Sequence, residues 1–339
     1  MKLIKQHPFW VTFFLLGLTL MLSVALGAVT IPPGAVFRMA ASRLDFLDVV
    51  PDWPEYFPTI LWEIRLPHAI LIGLTGAALA GSGAAYQGLF RNPLADPYLI
   101  GVASGAGLGA VVVMAATNFS RYLIPIGAFL GALATIIAVY ALARVGKMVP
   151  LTTLILAGVA IGSFTSAVTS FLMIMSEGRV HQAMAFLLGG STVAGWDPVR
   201  IAFPYLAVGM GLLIFTGHPL NVLQFGEEQA QQLGLPVERI KVFVILAASL
   251  TAAAAVSFSG VIGFVGLVVP HIVRMIWGGD YRRLIPLAIL SGAVTLLVSD
   301  LLARTLMAPQ TIPVGIVTAL AGAPFFLWIL RRAKREVFW

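Results

Sequence analysis

The chain has 339 residues, 59% of them hydrophobic and 10% charged, with a formal net charge of +7 and a mean hydropathy of +0.97. Soluble domains carry roughly 25% charged residues, so a water-soluble enzyme is excluded and an all-α polytopic membrane protein is predicted. Cysteine is absent, which removes disulfides, thiolate metal sites and cysteine nucleophiles together.

One bilayer crossing takes about 20 mostly apolar residues. Ten apolar stretches meet or approach that length, near 9–30, 66–88, 95–116, 122–143, 151–175, 199–216, 240–257, 260–277, 284–303 and 311–330. They fill the chain as one transmembrane domain, 1–339, with no room for a soluble one. Lys2 and Lys5 precede the first stretch; because nine more follow, it reads as an anchor and not as a cleaved signal. With both termini cytoplasmic, the inner loops collect Lys2, Lys5, Arg91, Arg144, Lys147, Arg239, Lys241, Arg274, Arg282, Arg283, Arg331, Arg332, Lys334 and Arg335. These outnumber Arg38, Arg43, Arg65, Arg121, Arg179, Arg200 and Arg304 elsewhere, as the positive-inside rule requires.

The first outer loop, 31–64, holds Pro32, Pro33, Pro51, Pro54 and Pro58 with Trp53, Tyr56 and Trp62, a composition suited to the membrane interface. Spans two and three meet at Arg91-Asn92-Pro93-Leu94-Ala95-Asp96-Pro97, where Asp96 is an N-cap followed by proline at the first helical position. Within the spans, Gly101, Gly105 and Gly109 repeat every four residues, as do Gly73, Ala77 and Gly81, forming faces on which helices pack closely. The outer segment 176–198 contains a short apolar run too brief to cross, predicted as a partial helix dipping into the membrane. The loop 218–239 is long for an inner connection and reads as a surface helix, acidic at its start and ended by Leu233-Gly234 before Pro236. Finally Gly260, Gly263, Gly266 and Pro270 interrupt a span, as in helices that line transport routes.

The missing chemistry narrows function further. None of the 14 acidic residues falls at mid-membrane, where ion-coupled carriers keep an ionisable group. There is no H-E-x-x-H pair, no G-x-S-G and no G-x-x-x-x-G-K-[ST] loop, so the chain has no ATPase site of its own. His271, after Pro270, reads as a hydrogen-bonded structural residue, and Met173 and Met175 as core packing rather than haem ligands.

Arg91-Asn92-Pro93-Leu94-Ala95-Asp96-Pro97, Gln232-Leu233-Gly234-Leu235-Pro236, the run from Gly263 to Arg274 and Pro313-Val314-Gly315-Ile316-Val317-Thr318-Ala319 occur in the order and spacing of one family. From about 15 to 332 the chain resembles the FecCD-type permeases of ABC importers, which take up iron-siderophores, haem and vitamin B12. The resemblance implies the type II importer architecture: about ten helices per subunit, two permease subunits (a homodimer) around one path, two ABC ATPase subunits, and a periplasmic or lipid-anchored binding protein. The setting it implies is the cytoplasmic (inner) membrane of a bacterium or archaeon, with lipid as surroundings and no nucleic acid partner. No metal or cofactor is expected on this chain, ATP and Mg belonging to the ATPase. Ferric siderophore is the first cargo expected, with vitamin B12 and haem next, and an ion-coupled secondary transporter is the alternative reading.

Residue by residue, Glu227, Glu228, Gln229, Ala230, Gln231, Leu233, Gly234 and Leu235 resemble the coupling helix that seats in the ATPase. Thr152 and Thr153 match the cytoplasmic gate, and Arg65 and Arg304 match outer arginines that grip the binding protein. Two positions depart from the family pattern. His68 stands where relatives often carry a second docking arginine, and Thr311 where they often carry glutamate.

Overall fold

The computed structural model describes residues 6–43, 50–116, 122–146, 148–176, 180–191 and 193–337, without the side chains of 330 and 332–337. Lys2, Lys5, Arg121, Lys147 and Arg179 of the charge count lie outside the described residues, as do the side chains of Arg332, Lys334 and Arg335.

The described residues are helical almost throughout. In order they form α1 (Pro8–Ala25), α2 (Pro33–Ala41), α3 (Tyr56–Thr59) with a π turn (Ile60–Arg65), α4 (Leu66–Leu89), a 3-10 turn (Pro97–Ile100), α5 (Val102–Ala116), α6 (Leu123–Ala143), α7 (Leu151–Met175) and α8 (Val180–Leu187). Then come α9 (Trp196–Phe215), α10 (Gly217–Leu223), α11 (Glu227–Gln232), α12 (Val237–Ser259), α13 (Val265–Trp277), α14 (Tyr281–Thr305) and α15 (Val314–Val337). Among the described residues, seven helical segments are long and apolar enough to cross a membrane: α1, the run Tyr56–Leu89, α6, α7, α9, α12 and α14. Three shorter apolar helices, Val102–Ala116, Val265–Trp277 and Val314–Ile329, fall on the remaining stretches.

Helix α4 is the axis of the bundle and packs on α9, α12, α13 and α14. Its small residues allow this. A Cβ on Gly76 would strike the Gly292 carbonyl of α14, and one on Gly83 would strike the Gly266 carbonyl of α13. Gly105 and Gly109 of α5 likewise meet Gly131 and Gly127 of α6, so that repeat is a packing seam. The repeat Gly73, Ala77, Gly81 is looser: Gly73 has ordinary contact with Leu297, and Gly81 faces the Ile289 side chain. With lipid tails as apolar as leucine, such close backbone approach is what drives helix association in a membrane.

The bundle has two ends. Gln224 donates to the Gly88 carbonyl at 3.0 Å and the Val149 N–H to Glu238 at 3.2 Å, which gathers the 89–97, 144–150 and 216–237 connections at one end. At the other, the Trp196 indole donates to the Trp62 carbonyl at 2.8 Å. The first end carries Arg91, Arg144, Arg239, Lys241, Arg282 and Arg283, and is called the basic end below.

Candidate functional site

The break between α12 and α13 lies inside the bundle. Gly260 (φ 76°) and Phe264 (φ 69°) turn the chain through the left-handed region, and the backbone groups this frees need partners where water is scarce. Val261 N–H donates to the Phe186 carbonyl at 3.0 Å. Tyr98 supplies two more: its hydroxyl donates to the Ile262 carbonyl at 2.9 Å and accepts the Ile262 N–H at 3.3 Å. Asp96 sets Tyr98 in place by accepting its backbone N–H at 2.8 Å, capping the 3-10 turn. Pro270 has no N–H for the Gly266 carbonyl, which instead lies against Gly83. Gly315 N–H donates to the Leu188 carbonyl at 3.0 Å. Three segments far apart in sequence, 91–98, 260–270 and 313–315, thus meet at one place with the end of α8. Nδ1 of His271 is buried without a hydrogen-bond partner among the described residues, which corrects the expectation of a hydrogen-bonded histidine there.

Helix α7 is the most open long helix: 17% of its apolar window is buried, against 89% in the Tyr56–Leu89 run. Thr152 is exposed and Thr153 half-buried at its start, beside the basic end. Ser163, Ser166 and Ser170 continue the exposed face of Thr152, each an integral number of turns away within the 3.6-residue period. Ser163 and Ser170 donate to carbonyls four residues back, at 2.9 and 3.0 Å. The serines were not singled out from sequence, although their helical spacing was there to see. Met173 packs against the core while Met175 is 67% exposed, so core packing holds for the first and not for the second.

At the basic end α11 is a single well-made turn and a half. Gly226 (φ 110°) precedes it, and Gly234 (φ 84°) ends it. Leu235 N–H reaches back to the Ala230 carbonyl at 3.0 Å and Gly234 N–H to Gln231 at 2.9 Å, the Schellman arrangement that favours glycine at that position. Glu228, Gln229, Gln231, Gln232, Leu233 and Gly234 face outward. Leu233 is 70% exposed, an apolar group offered among polar ones. Ala230 is fully buried and Leu235 packs against the core, so within the predicted coupling set Ala230 seats the helix instead of presenting a surface. Lys241, itself buried, donates to Glu227 at 2.7 Å and to Glu238 at 2.9 Å. Asn221 of α10 donates to Asp280 at 2.6 Å and accepts the Tyr281 N–H at 2.8 Å. That amide, before any other cause, holds the exposed Asp280 carboxyl below the usual range.

At the opposite end Arg65 is 8% exposed. Its Nη1 donates to the Val24 and Ala25 carbonyls at 2.9 and 3.0 Å, and Nη2 to the Val29 carbonyl. The last carbonyls of α1 lack helical donors and attract a cation, so Arg65 caps that helix. Three of its donors are thus engaged inside, and little of the side chain reaches the surface where the sequence placed a docking group. Arg304 and His68 converge on Asp300, which is buried. Arg304 Nε donates to Oδ2 at 2.8 Å and Nη2 to the Ser23 hydroxyl at 2.9 Å, while His68 Nε2 lies 2.9 Å from Oδ1. Asp300 received no role from sequence; its i, i+4 spacing to Arg304 on one helix was the available signal. Thr311 is exposed nearby.

A family model described as the FecCD transport family matches residues 15–332. The chain belongs to the FecCD transport family. It is 45% identical over 284 residues to the cobalamin import system permease protein BtuC of Halobacterium salinarum, covering 84% of this chain and 76% of that protein. It is 40% identical over 309 residues to the hemin transport system permease protein HmuU of Yersinia pestis, covering 88% and 91%. Its fold is similar, with a TM-score of 0.83 and 29% identity, to a metal-chelate-type ABC transporter solved in an inward-facing conformation, over 95% of this chain and 98% of that one. This FecCD chain is thus a multi-pass membrane protein of a permease family. Its four recognition motifs include three that meet at the α12–α13 break and one that ends α11, so the family pattern marks the interrupted helix and the surface helix.

Proposed function

We propose that the chain is the permease subunit of an ATP-driven importer of a large metal chelate, with ten spans and both termini cytoplasmic. The observation that carries this is α7: an apolar helix long enough to span, mostly unburied, with the hydroxyls of Thr152, Ser163, Ser166 and Ser170 along its open face. A second copy facing it encloses a wet, weakly contacting path, with Thr152 and Thr153 at the cytoplasmic mouth. The basic residues around that mouth support the orientation.

Energy enters through α11. Its exposed Glu228, Gln229, Gln231 and Leu233 form a small knob suited to the cleft of a partner ATPase, one on each of two permeases, and ATP and Mg belong to that partner. At the outer end the binding protein meets His68 and Arg304, whose side chains are held in place by Asp300; Arg65 holds the adjoining 26–29 segment on which that surface rests. The cargo panel is ferric siderophore, vitamin B12 and haem, the last two supported by the relatives named for cobalamin and hemin import.

The test is reconstitution of the chain in proteoliposomes with the ATPase and binding protein encoded beside it. ATP-dependent uptake of one chelate of the panel is expected. Uphill uptake by the chain alone on a proton or sodium gradient overturns the proposal in favour of a secondary carrier.

A further inference from the structure

The geometry points to Glu238 and Lys241 as the joint that carries movement of α11 to the Thr152–Thr153 mouth, an inference that rests on the importer reading above. Lys241 is 3% exposed, and a buried ammonium persists only with partners in good geometry. Two of its three donors are taken, one by Glu227, the first residue of α11, and one by Glu238 in the first turn of α12.

Glu238, whose side chain is partly exposed, has a second oxygen. It accepts the Val149 N–H at 3.2 Å, across 89 residues of sequence. Val149 is itself buried and is joined to α7 by Pro150, which occupies the N-cap position with φ −63°. The proline ring locks that torsion, so a displacement of Val149 passes to Leu151, Thr152 and Thr153 with little slack. The same helix, α7, has few packing neighbours to resist it. A continuous polar chain therefore runs from Glu227 through Lys241 and Glu238 to the backbone just before the mouth. An ordinary fold-stabilising ion pair has no need of the last step, a hydrogen bond to the one strand of chain that leads into the open helix.

The chain has no cysteine, so Thr152→Cys gives a single reporter at the mouth. In proteoliposomes with the partner ATPase and binding protein, the rate of maleimide labelling is compared without nucleotide and with a non-hydrolysable ATP analogue. At least a fivefold difference is expected. Adding Glu238→Ala is expected to shrink that difference below twofold and cut chelate uptake at least tenfold, with ATP turnover within twofold of the parent. Glu238→Asp keeps both carboxylate oxygens on a shorter arm and is expected to retain more of the uptake and of the labelling difference than Glu238→Ala. If the reporter responds equally with and without Glu238→Ala, the joint is overturned and the importer reading stands. If the reporter never responds and no uptake occurs, both fall. Should Glu238→Ala not accumulate, Lys241→Met is judged by the same criteria; loss of both variants from the membrane overturns the joint, because the trio then holds the fold and not the movement.

Discussion

The Tyr98 hydroxyl serves both backbone groups of Ile262, donating to its carbonyl at 2.9 Å and accepting its N–H at 3.3 Å. A side chain from the 91–98 corner thereby replaces two of the helical bonds lost where Gly260 and Phe264 turn the chain. Tyr98→Phe leaves a buried donor and acceptor without partners, at a cost of about 1–3 kcal/mol for each. A lower thermal unfolding midpoint in detergent is expected, together with faster proteolysis near residue 262; an unchanged midpoint would mean the break is satisfied some other way.

Arg65 and Arg304 are expected to separate when each is reversed in charge. Arg65→Glu puts a carboxylate against the Val24, Ala25 and Val29 carbonyls and should first reduce the yield of folded protein. Arg304→Glu sets a second carboxylate against Asp300 and should also cost stability, but, being nearer the surface, less than Arg65→Glu, with lost affinity for the binding protein in the fraction that folds. Size-exclusion yield and binding-protein titration distinguish the two, and equal yields would count against the cap.

Asp300→Ala strips both His68 and Arg304 of their carboxylate. Breaking a buried pair costs about 3–5 kcal/mol, and about 3 is expected here because His68 is one-third exposed. Asp300→Asn, which keeps the shape, should recover part of the loss in a thermal-shift assay.

Gly234 sits at φ 84° with nothing within contact distance of its missing Cβ. Gly234→Ala should therefore cost about 1 kcal/mol through backbone strain alone, while Gly234→Pro abolishes the N–H that reaches Gln231. The proline variant is expected to retain membrane insertion but to uncouple ATP hydrolysis from uptake, as is double charge reversal at Glu227 and Glu228. Normal uptake per ATP in either would remove α11 from the coupling path.

Asp280 is ionised more readily in the folded chain than in the unfolded one. A depressed folded pKa contributes stability that is present above the ordinary carboxylate value, about 3.9, and is lost as pH falls through the lower folded value. Asp280→Asn should flatten the acid side of the stability curve below about pH 4, and denaturation midpoints from pH 2 to 6 would show whether it does.

Composition and hydropathic run length determined the membrane class, the order of the apolar stretches and the positions where helices had to be broken or capped. These are local properties: transfer of twenty apolar residues, the torsions of glycine and proline, and the chemistry of an N-cap all act within a few residues. Gly234 was legible for that reason, and so was Asp96. Which small faces met was only partly so: Gly109 of one marked repeat does meet Gly127, but on α4 the tight contacts, Gly76 with Gly292 and Gly83 with Gly266, lie beside the Gly73, Ala77, Gly81 repeat that the spacing had marked. Nor could a linear reading tell that Arg65 turns inward to the end of α1, that Asp300 holds His68 and Arg304, or that Glu238 reaches Val149. Those partners come together only when distant helices pack, and the low-polarity interior then makes each unpaired group so costly that the pairing decides whether a charge is a surface handle or an internal brace.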